Sequence, residues 1–119
     1  MIAYVAGPYT AETLEAVAVN VAVAREVQAA LIGDGFAVFC PHANYGGMDH
    51  VMNHRGAMER CFAHLELADL VVMLPRWETS AGACQEYGFA LAKDIPIFEW
   101  PFDRARLKNV IKEGGDDDA

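Results

Sequence analysis

Short apolar runs alternate along the chain with longer segments in which apolar residues recur at helical spacing. The lengths of the short runs predict strands. The predicted strands are residues 2–6, 36–40, 70–74 and 95–98. The predicted helices cover approximately residues 11–31, 55–67, 81–93 and 103–113. Because strands that alternate with helices pair in parallel, we predict a parallel sheet with helices on both faces.

The predicted sheet defines the fold class and the domain boundary. Residues 70–74 are all apolar, which is typical of a strand that is buried on both faces. We therefore predict an α/β fold, a three-layer sandwich with a parallel sheet of four to five strands, similar to flavodoxin-like or Rossmann-like domains. A single domain would occupy residues 1–113, and residues 114–119 would form a disordered acidic tail.

The first predicted helix is ambiguous over residues 16–24, where alanine and valine alternate much as they do in strands. The apolar pattern continues to Leu31, and Thr10 supplies a capping residue before it, so we predict a helix. This helix is apolar on nearly all sides and has to be covered on two faces. The sheet would cover one face and a second copy of the chain the other, which favours a homodimer or a higher homo-oligomer.

Composition and charge limit which binding partners and which cellular compartment we expect for this protein. The 119 residues are 54% hydrophobic and carry a formal net charge of −8. A surface of this charge repels nucleic acids and anionic membranes, so neither is an expected partner. Three isolated cysteines without a CxxC pair favour reduced thiols and a cytoplasmic location.

In α/β folds a ligand lies at the carboxyl ends of the parallel strands. The predicted loops that leave those ends are residues 7–10, 41–52 and 75–82. The first loop contains Gly7, Pro8 and Tyr9 ahead of a predicted helix. A helix N-terminus attracts anions such as phosphate, although this signal is weak by itself.

The third loop and the helix after it carry the strongest candidates for chemistry. Trp77 can stack on a base or form a wall of its pocket, Ser80 lies where the helix begins, and Gly82 lets a ligand approach the backbone. Glu86 follows in the helix among apolar neighbours. On residue type alone a helical glutamate is more often a solvated surface charge, so both interpretations of Glu86 stay open at this point.

Four histidines raise the question of a metal site. The spacing of His50 and His54 would place both on one helix face, but the sequence has no HExxH motif. Surface or loop histidines are therefore favoured, and we expect no metal ion and no cofactor. His42 follows the second predicted strand directly and could face a bound base.

A longer pattern joins these segments. It consists of Tyr4-Val5-Ala6-Gly7-Pro8, of Ala68-Asp69 before a hydrophobic strand, and of Leu74-Pro75-x-Trp77-x-x-Ser80-x-Gly82-Ala83-x-x-Glu86. Over residues 2–98 the chain resembles the nucleoside 2-deoxyribosyltransferase-like superfamily. It is most similar to a small phage and bacterial branch, the DUF4406-like domains, and it also resembles the 2′-deoxynucleoside 5′-phosphate N-hydrolases.

The resemblance implies roles for individual residues. In characterised relatives the glutamate that matches Glu86 attacks C1′ of deoxyribose and forms a covalent glycosyl-enzyme, and the tyrosine that matches Tyr4 orients it. The N-hydrolases carry a serine at the position of Ser80 and use it on the phosphate, which favours a nucleotide here. Ser80, Gly82 and residues 7–10 would then surround the phosphate.

The cleavage reaction of the relatives also needs a residue that protonates the leaving base, and at that position this chain differs from them. Relatives carry an aspartate on the helix before Asp69, at a position where this chain has Cys61. The substitutes that the sequence offers are Asp49, Glu59, His64 and Asp69 itself.

These expectations define three functional hypotheses. The first is cleavage of the N-glycosidic bond of (deoxy)nucleoside 5′-monophosphates or deoxynucleosides, by an N-hydrolase or 2′-deoxyribosyltransferase with Glu86 as nucleophile. The second is a non-catalytic nucleotide-binding or sensing module, which explains Cys61. The third is a flavodoxin-like interaction domain without a small ligand, which does not explain why Ser80, Gly82 and Glu86 occur together at the ligand end.

Overall fold

Four parallel strands form one sheet in the computed structural model of the protein, which describes residues 1–116. The strands are β1 (Ile2–Ala6), β2 (Ala37–Phe39), β3 (Leu70–Met73) and β4 (Ile97–Glu99). Their order across the sheet is β2-β1-β3-β4, and every neighbouring pair is parallel. The predicted α/β fold is confirmed. After β1 the chain adds β2 on one side of it, and it then crosses over to add β3 and β4 on the other side. The direction in which strands are added therefore reverses between β1 and β3.

Helices cover both faces of this sheet. They are α1 (Leu14–Gly33), α2 (Pro41–Tyr45), α3 (His54–Leu65), α4 (Ala81–Ala92) and α5 (Arg104–Asp116), with a short 3-10 helix at Trp77–Thr79. The sequence predicts a loop where α2 lies, but Pro41 at its first turn has the fixed φ angle that suits a helix start. α5 continues past residue 113, and residues 117–119 of the predicted acidic tail lie outside the described residues.

The first helix begins later than the sequence predicts. Its N-cap is Thr13, not Thr10, and the Thr13 Oγ1 accepts a hydrogen bond from the N–H of Ala16 at 3.1 Å. Glu15 in the first turn complements the helix dipole at the same place. Residues 7–10 therefore do not lie directly before a helix N-terminus, and the predicted anion site cannot rest on α1.

Alternate residues of the strands enter two separate cores, because successive side chains of a strand point to opposite faces. Ala3, Val5 and Val72 pack with α1 and α5. Tyr4 and Val71 pack on the other face with α3 and α4. All five residues are fully buried. The result is the three-layer sandwich, and the face that carries Tyr4 leads to the candidate site.

The outer face of α1 is apolar and exposed. Val19 and Val23 are 58% and 38% exposed, whereas Val27 and Leu31 pack into the core beneath the sheet. By length and composition α1 also meets the criteria for a membrane span. α1 packs against the sheet through one face, and 17% of its apolar stretch is buried. The homo-oligomer and the cytoplasmic location stay predictions.

Gly7 lies at the end of β1, where the backbone passes close to Leu74. A Cβ atom at Gly7 would lie 2.6 Å from the Leu74 Cβ, far inside the normal contact distance between carbon atoms. We expect Gly7→Ala to lower the free energy of unfolding by about 2 kcal/mol, because the ends of β1 and β3 would have to move apart. Urea denaturation measures this loss.

Gly88→Ala is the matched control for that substitution. Gly88 lies inside α4, and a Cβ atom there would have open space around it. We expect this variant to gain about 0.5–1 kcal/mol, because alanine is the better helix former. Equal losses in the two variants would contradict the close approach at Gly7.

The free edge of the sheet at β4 is partly capped by a side chain. The N–H of Trp100 donates to the carbonyl oxygen of Met73 in β3 at 2.9 Å. Successive N–H groups of a strand point to opposite sides, so the N–H of Glu99 points away from β3. It donates instead to Oδ2 of Asp103 at 2.8 Å. This hydrogen bond, together with the nearby Arg106 guanidinium, holds the pKa of Asp103 below its ordinary value.

Candidate active site

A cavity of about 360 Å³ opens at the carboxyl edge of the sheet. It is bounded by the loop after β1, by α2 and the segment that follows it, and by the first turns of α3 and α4. The polar side chains in its wall include Tyr9, His42, Asp49, His54, Ser80 and Glu86. This edge, at the point where the winding reverses, is where α/β sheets bind ligands.

Glu86 projects from α4 into the cavity wall and is 6% exposed. Its Oε2 accepts a hydrogen bond from the hydroxyl of Tyr4. Tyr4 is fully buried in β1, and its ring stacks on Phe39 with 5.6 Å between the ring centroids. The sheet therefore holds the carboxylate in a fixed position at the cavity surface.

Burial sets the charge state of this pair. Burial raises the pKa of Glu86 to about 7, while the hydrogen bond from Tyr4 acts in the opposite direction. Burial and then the Glu86 charge raise the pKa of Tyr4, which keeps the phenol as a hydrogen-bond donor. Glu86 thus populates both protonation states near neutral pH, and positive charge in the cavity would favour the carboxylate.

Cys61 lines the same cavity from α3. It is 7% exposed, and burial raises the pKa of its thiol to about 11 against the opposing effect of a hydrogen bond with Tyr4. Such a thiol is a weak acid at neutral pH. Cys61 therefore does not replace a carboxylic acid as a proton donor.

His42 and Tyr9 fix the loop after β1. The Nε2 of His42 donates to the carbonyl oxygen of Pro8 at 2.7 Å, and among the described residues its Nδ1 has no hydrogen-bond partner. Burial lowers the pKa of His42, so the ring is neutral near pH 7. Tyr9 packs edge-on against this ring, and its hydroxyl accepts a hydrogen bond from the N–H of Gly47 at 3.1 Å.

The first turn of α4 forms another wall of the cavity. Ser80 caps this helix, and its Oγ accepts a hydrogen bond from the N–H of Ala83 at 3.2 Å. Gly82 faces α3, because a Cβ atom there would lie 3.4 Å from the Met58 Sδ and 3.9 Å from the His54 Cε1. The first N–H groups of an α-helix have no intrahelical acceptor, so this turn can receive an anion.

The structure brings most of the predicted site residues to this cavity. Those that line it are Gly7, Tyr9, His42, Asp49, Ser80, Gly82 and Glu86. Two others support the wall from behind, Tyr4 through its bond to Glu86 and Pro8 through its bond to His42.

Trp77 is an exception, since it does not form a wall of the cavity. Its ring stacks on Tyr87 with 4.5 Å between the centroids, and its Nε1 donates to Oε1 of Glu99 at 3.0 Å. These contacts direct the indole towards the β4 side of α4. The aromatic side chains that line the cavity are instead Tyr9 and Tyr45.

Three of the candidate acids also lie outside the cavity wall. Glu59 is exposed on α3. The Nε2 of His64 forms a hydrogen bond with the hydroxyl of Tyr45 at 2.9 Å. Asp69 accepts a hydrogen bond from the N–H of Ile2 at 2.6 Å, at the amino-terminal edge of the sheet and so at the edge opposite the cavity.

Sequence inspection did not single out Tyr45, His54 or Met58 as site residues. The signal for the α3 side is the spacing of His54, Met58 and Cys61, which puts the three on one face of a helix. Tyr45 lies in a segment predicted as a loop, where spacing carries no such signal. His50 lies in the turn before α3 and donates to the carbonyl oxygen of Gly47 at 3.1 Å, so it shares no helix face with His54.

Residues 1–99 match the model of a protein family, DUF4406, which is described as a domain of unknown function. The chain belongs to the DUF4406 family. A solved structure similar to it is that of a 2-deoxyribosyltransferase from the psychrotolerant bacterium Bacillus psychrosaccharolyticus. The TM-score is 0.62 at 17% sequence identity, and the match covers 83% of the DUF4406 chain and 71% of that structure. No curated protein sequence matches the chain significantly.

The likeness shows that the DUF4406 chain shares the α/β fold of that transferase. Within residues 1–116, no group of three or more His, Cys, Asp or Glu side chains is placed to hold a metal ion. What the DUF4406 cavity does contain is an oriented, buried carboxylate and a helix N-terminus, and both bear on its function.

Proposed function

We propose that this chain cleaves the N-glycosidic bond of (deoxy)nucleoside 5′-monophosphates or deoxynucleosides through a covalent glycosyl-Glu86 intermediate. The observation that carries the proposal is the Glu86 carboxylate, which is buried in the wall of a cavity and held by Tyr4. The fold shared with a 2-deoxyribosyltransferase supports the same general class of nucleoside chemistry.

The first step replaces the bond between C1′ and the base nitrogen with a bond between C1′ and a Glu86 oxygen. Loss of the base builds positive charge on the sugar ring, and the nearby carboxylate stabilises that charge. The electron pair of the broken bond goes to the base nitrogen, which takes up a proton. In the second step water or another base attacks C1′, and Glu86 leaves as a carboxylate. An N-hydrolase and a transferase differ only in this acceptor, and neither needs a cofactor.

Tyr4 is the positioning residue of this mechanism. Its hydroxyl occupies the Glu86 Oε2, which leaves the other oxygen for C1′. Because Tyr4 remains protonated, it stabilises the carboxylate form of Glu86 that burial disfavours. The positive charge that develops on the sugar then favours the same form.

The first turn of α4 is the proposed site for the phosphate of a 5′-monophosphate. Ser80 and Gly82 lie there, and Gly7, Tyr9 and Thr10 of the loop after β1 line the same cavity. Among the described residues that line the cavity there is no lysine or arginine. Recognition of a phosphate would therefore rest on backbone N–H groups, the Ser80 hydroxyl and the dipole of α4.

Cys61 supports a second candidate function, a nucleotide-binding or sensing module without catalysis. Its thiol, with a pKa of about 11, faces the cavity where a stronger acid would assist departure of the base. A module of this kind would hold a nucleotide in the same cavity and release no base.

A panel of nucleosides and 5′-monophosphates, assayed by chromatography for released base, tests the proposal. We expect free base from at least one deoxynucleoside or its 5′-monophosphate. With a second base added, a transferase would also form a new nucleoside. Binding without release over a long incubation would overturn catalysis and support the binding module, and the absence of both binding and release would overturn both candidates.

A further inference from the structure

We propose that the base of a bound nucleoside stacks on the ring of Tyr45 and that His64 fixes the angle of this ring. The inference rests on the proposed function. Tyr45 lies at the end of α2 and lines the same cavity as Glu86. A flat aromatic ring in a cavity wall suits a base, because bases stack on aromatic side chains. The sequence predicts this role for Trp77, whose ring packs outside the cavity.

The ring of Tyr45 is held by two contacts. Its hydroxyl forms a hydrogen bond with the Nε2 of His64 at 2.9 Å. Its ring meets that of Phe39 at an angle of 65°, with 6.1 Å between the centroids. His64 is fixed in turn, because it stacks on Phe39 with 3.8 Å between the centroids and 14° between the ring planes. A ring that is already held loses little conformational entropy when a ligand binds to it.

A series of contacts connects Tyr45 to the reacting carboxylate. Phe39 and Tyr4 are register partners on the adjacent strands β2 and β1, and their rings stack with 5.6 Å between the centroids. The Tyr4 hydroxyl donates to Glu86. In the proposed reaction C1′ comes within about 3–3.5 Å of a Glu86 oxygen. The base is bonded to C1′, so it lies close to this layer of rings.

Two walls of the cavity differ in their chemistry. Pro41 and Tyr45 are four residues apart on α2, so they share one face of that helix, and both line the cavity. The first turn of α4 instead presents the Ser80 hydroxyl and N–H groups without an intrahelical acceptor. A flat, apolar surface suits the face of a base, whereas hydrogen-bond donors suit a phosphate. The two ends of a nucleotide therefore match two different walls.

Tyr9 is the competing aromatic side chain in the cavity wall. Its hydroxyl accepts a hydrogen bond from the N–H of Gly47, and its ring packs edge-on against His42. These contacts tie Tyr9 to the loop after β1 and to α2. The contacts of Tyr45 lead through Phe39 to the pair that holds the nucleophile, which favours Tyr45 as the stacking surface.

The test compares the Glu86→Gln chain, which does not consume its ligand, with the same chain carrying Tyr45→Leu. NMR titration measures the Kd for two kinds of probe. The first kind is the common deoxynucleosides and their 5′-monophosphates, and the second is 2-deoxyribose and its 5-phosphate, which lack the base. We expect Tyr45→Leu to raise the Kd of the first kind by about 10- to 100-fold and that of the second by less than about twofold. Equal losses on both kinds, or no loss on either, would overturn the stacking role.

The positioning role of His64 is tested in the same background. We expect Tyr45→Phe and His64→Leu each to raise the Kd for the nucleotide by about 3-fold, because each removes the same hydrogen bond. The double variant should lose no more than either single variant. His64→Gln should stay within about twofold of the parent chain, because its amide can still bond the phenol. Losses that multiply in the double variant, or a glutamine that behaves like leucine, would overturn this role.

Tyr87→Leu is the matched control, since it removes a tyrosine ring that stacks on Trp77 away from the cavity. We expect its Kd values to be unchanged. If Tyr9→Leu abolished base binding and Tyr45→Leu did not, Tyr9 would be the stacking surface and the proposal would be overturned. An unmodified chain that binds these compounds but releases no base would overturn catalysis alone, whereas a chain that binds none of them would overturn both proposals.

Discussion

Replacing Glu86 by glutamine is expected to reduce base release by about 10³-fold or more. The amide has nearly the same volume and can still accept the hydrogen bond from Tyr4, so the cavity keeps its shape. It is a poor nucleophile, however, and it carries no charge to stabilise the sugar cation. Chromatography of released base measures the loss, and circular dichroism establishes that the variant is folded.

Glu66→Gln is the matched control for this result. Glu66 is exposed at the end of α3 and pairs with Lys93 at 3.4 Å. Since an exposed ion pair contributes little, we expect its rate to stay within about twofold of the unmodified chain. If the Glu86→Gln variant still released base at the normal rate, that result would rule out the covalent mechanism.

The same substitution is expected to stabilise the fold at alkaline pH. Burial raises the pKa of Glu86 to about 7, from an ordinary value of 4.5. Between these pH values the folded chain binds more protons than the unfolded chain, so the free energy of unfolding falls as the pH rises. The cost of ionising Glu86 is absent at acidic pH and reaches roughly 3 kcal/mol well above pH 7. A glutamine at this position does not ionise and avoids that cost.

Urea denaturation of both chains at about pH 5 and about pH 8.5 measures this difference. The variant should be more stable by under about 1 kcal/mol near the lower pH, which lies just above the ordinary pKa of 4.5, and by roughly 3 kcal/mol near the higher pH. Every other titrating group is common to the two chains, so its contribution largely cancels in the comparison. A difference that did not change with pH would contradict the buried, protonatable state of Glu86.

Features with a local signal could be predicted from the sequence. The uninterrupted apolar run that became β3 needs no distant residue to identify it as a buried strand. The alternation of strands and helices then places the loops after β1, β2 and β3 at one edge, which is why Gly7, His42 and Ser80 were expected together. The cavity at that edge contains all three.

Features that depend on distant contacts could not be predicted in this way. The direction of Trp77 is set by Tyr87 and by Glu99, which lies 22 residues further along the chain. The burial of Glu86 depends on Tyr4, 82 residues away, and no spacing rule separates such a glutamate from a solvated one. The residue that protonates the leaving base could not be chosen from the sequence for the same reason. Only the folded chain shows that Asp69 lies at the edge of the sheet opposite the cavity.

The hydrogen bond between Glu99 and Asp103 also bears on how the protein behaves when it is concentrated. A strand from another molecule could join the open side of β4 only by taking over backbone groups there, and one of these donors already has a partner. An incoming strand would also meet the carboxylate itself, on a molecule whose net charge is already −8. Because the pKa of Asp103 is lowered, its carboxylate keeps its charge to a more acidic pH than an ordinary aspartate, and the protection against fibril-like association extends with it.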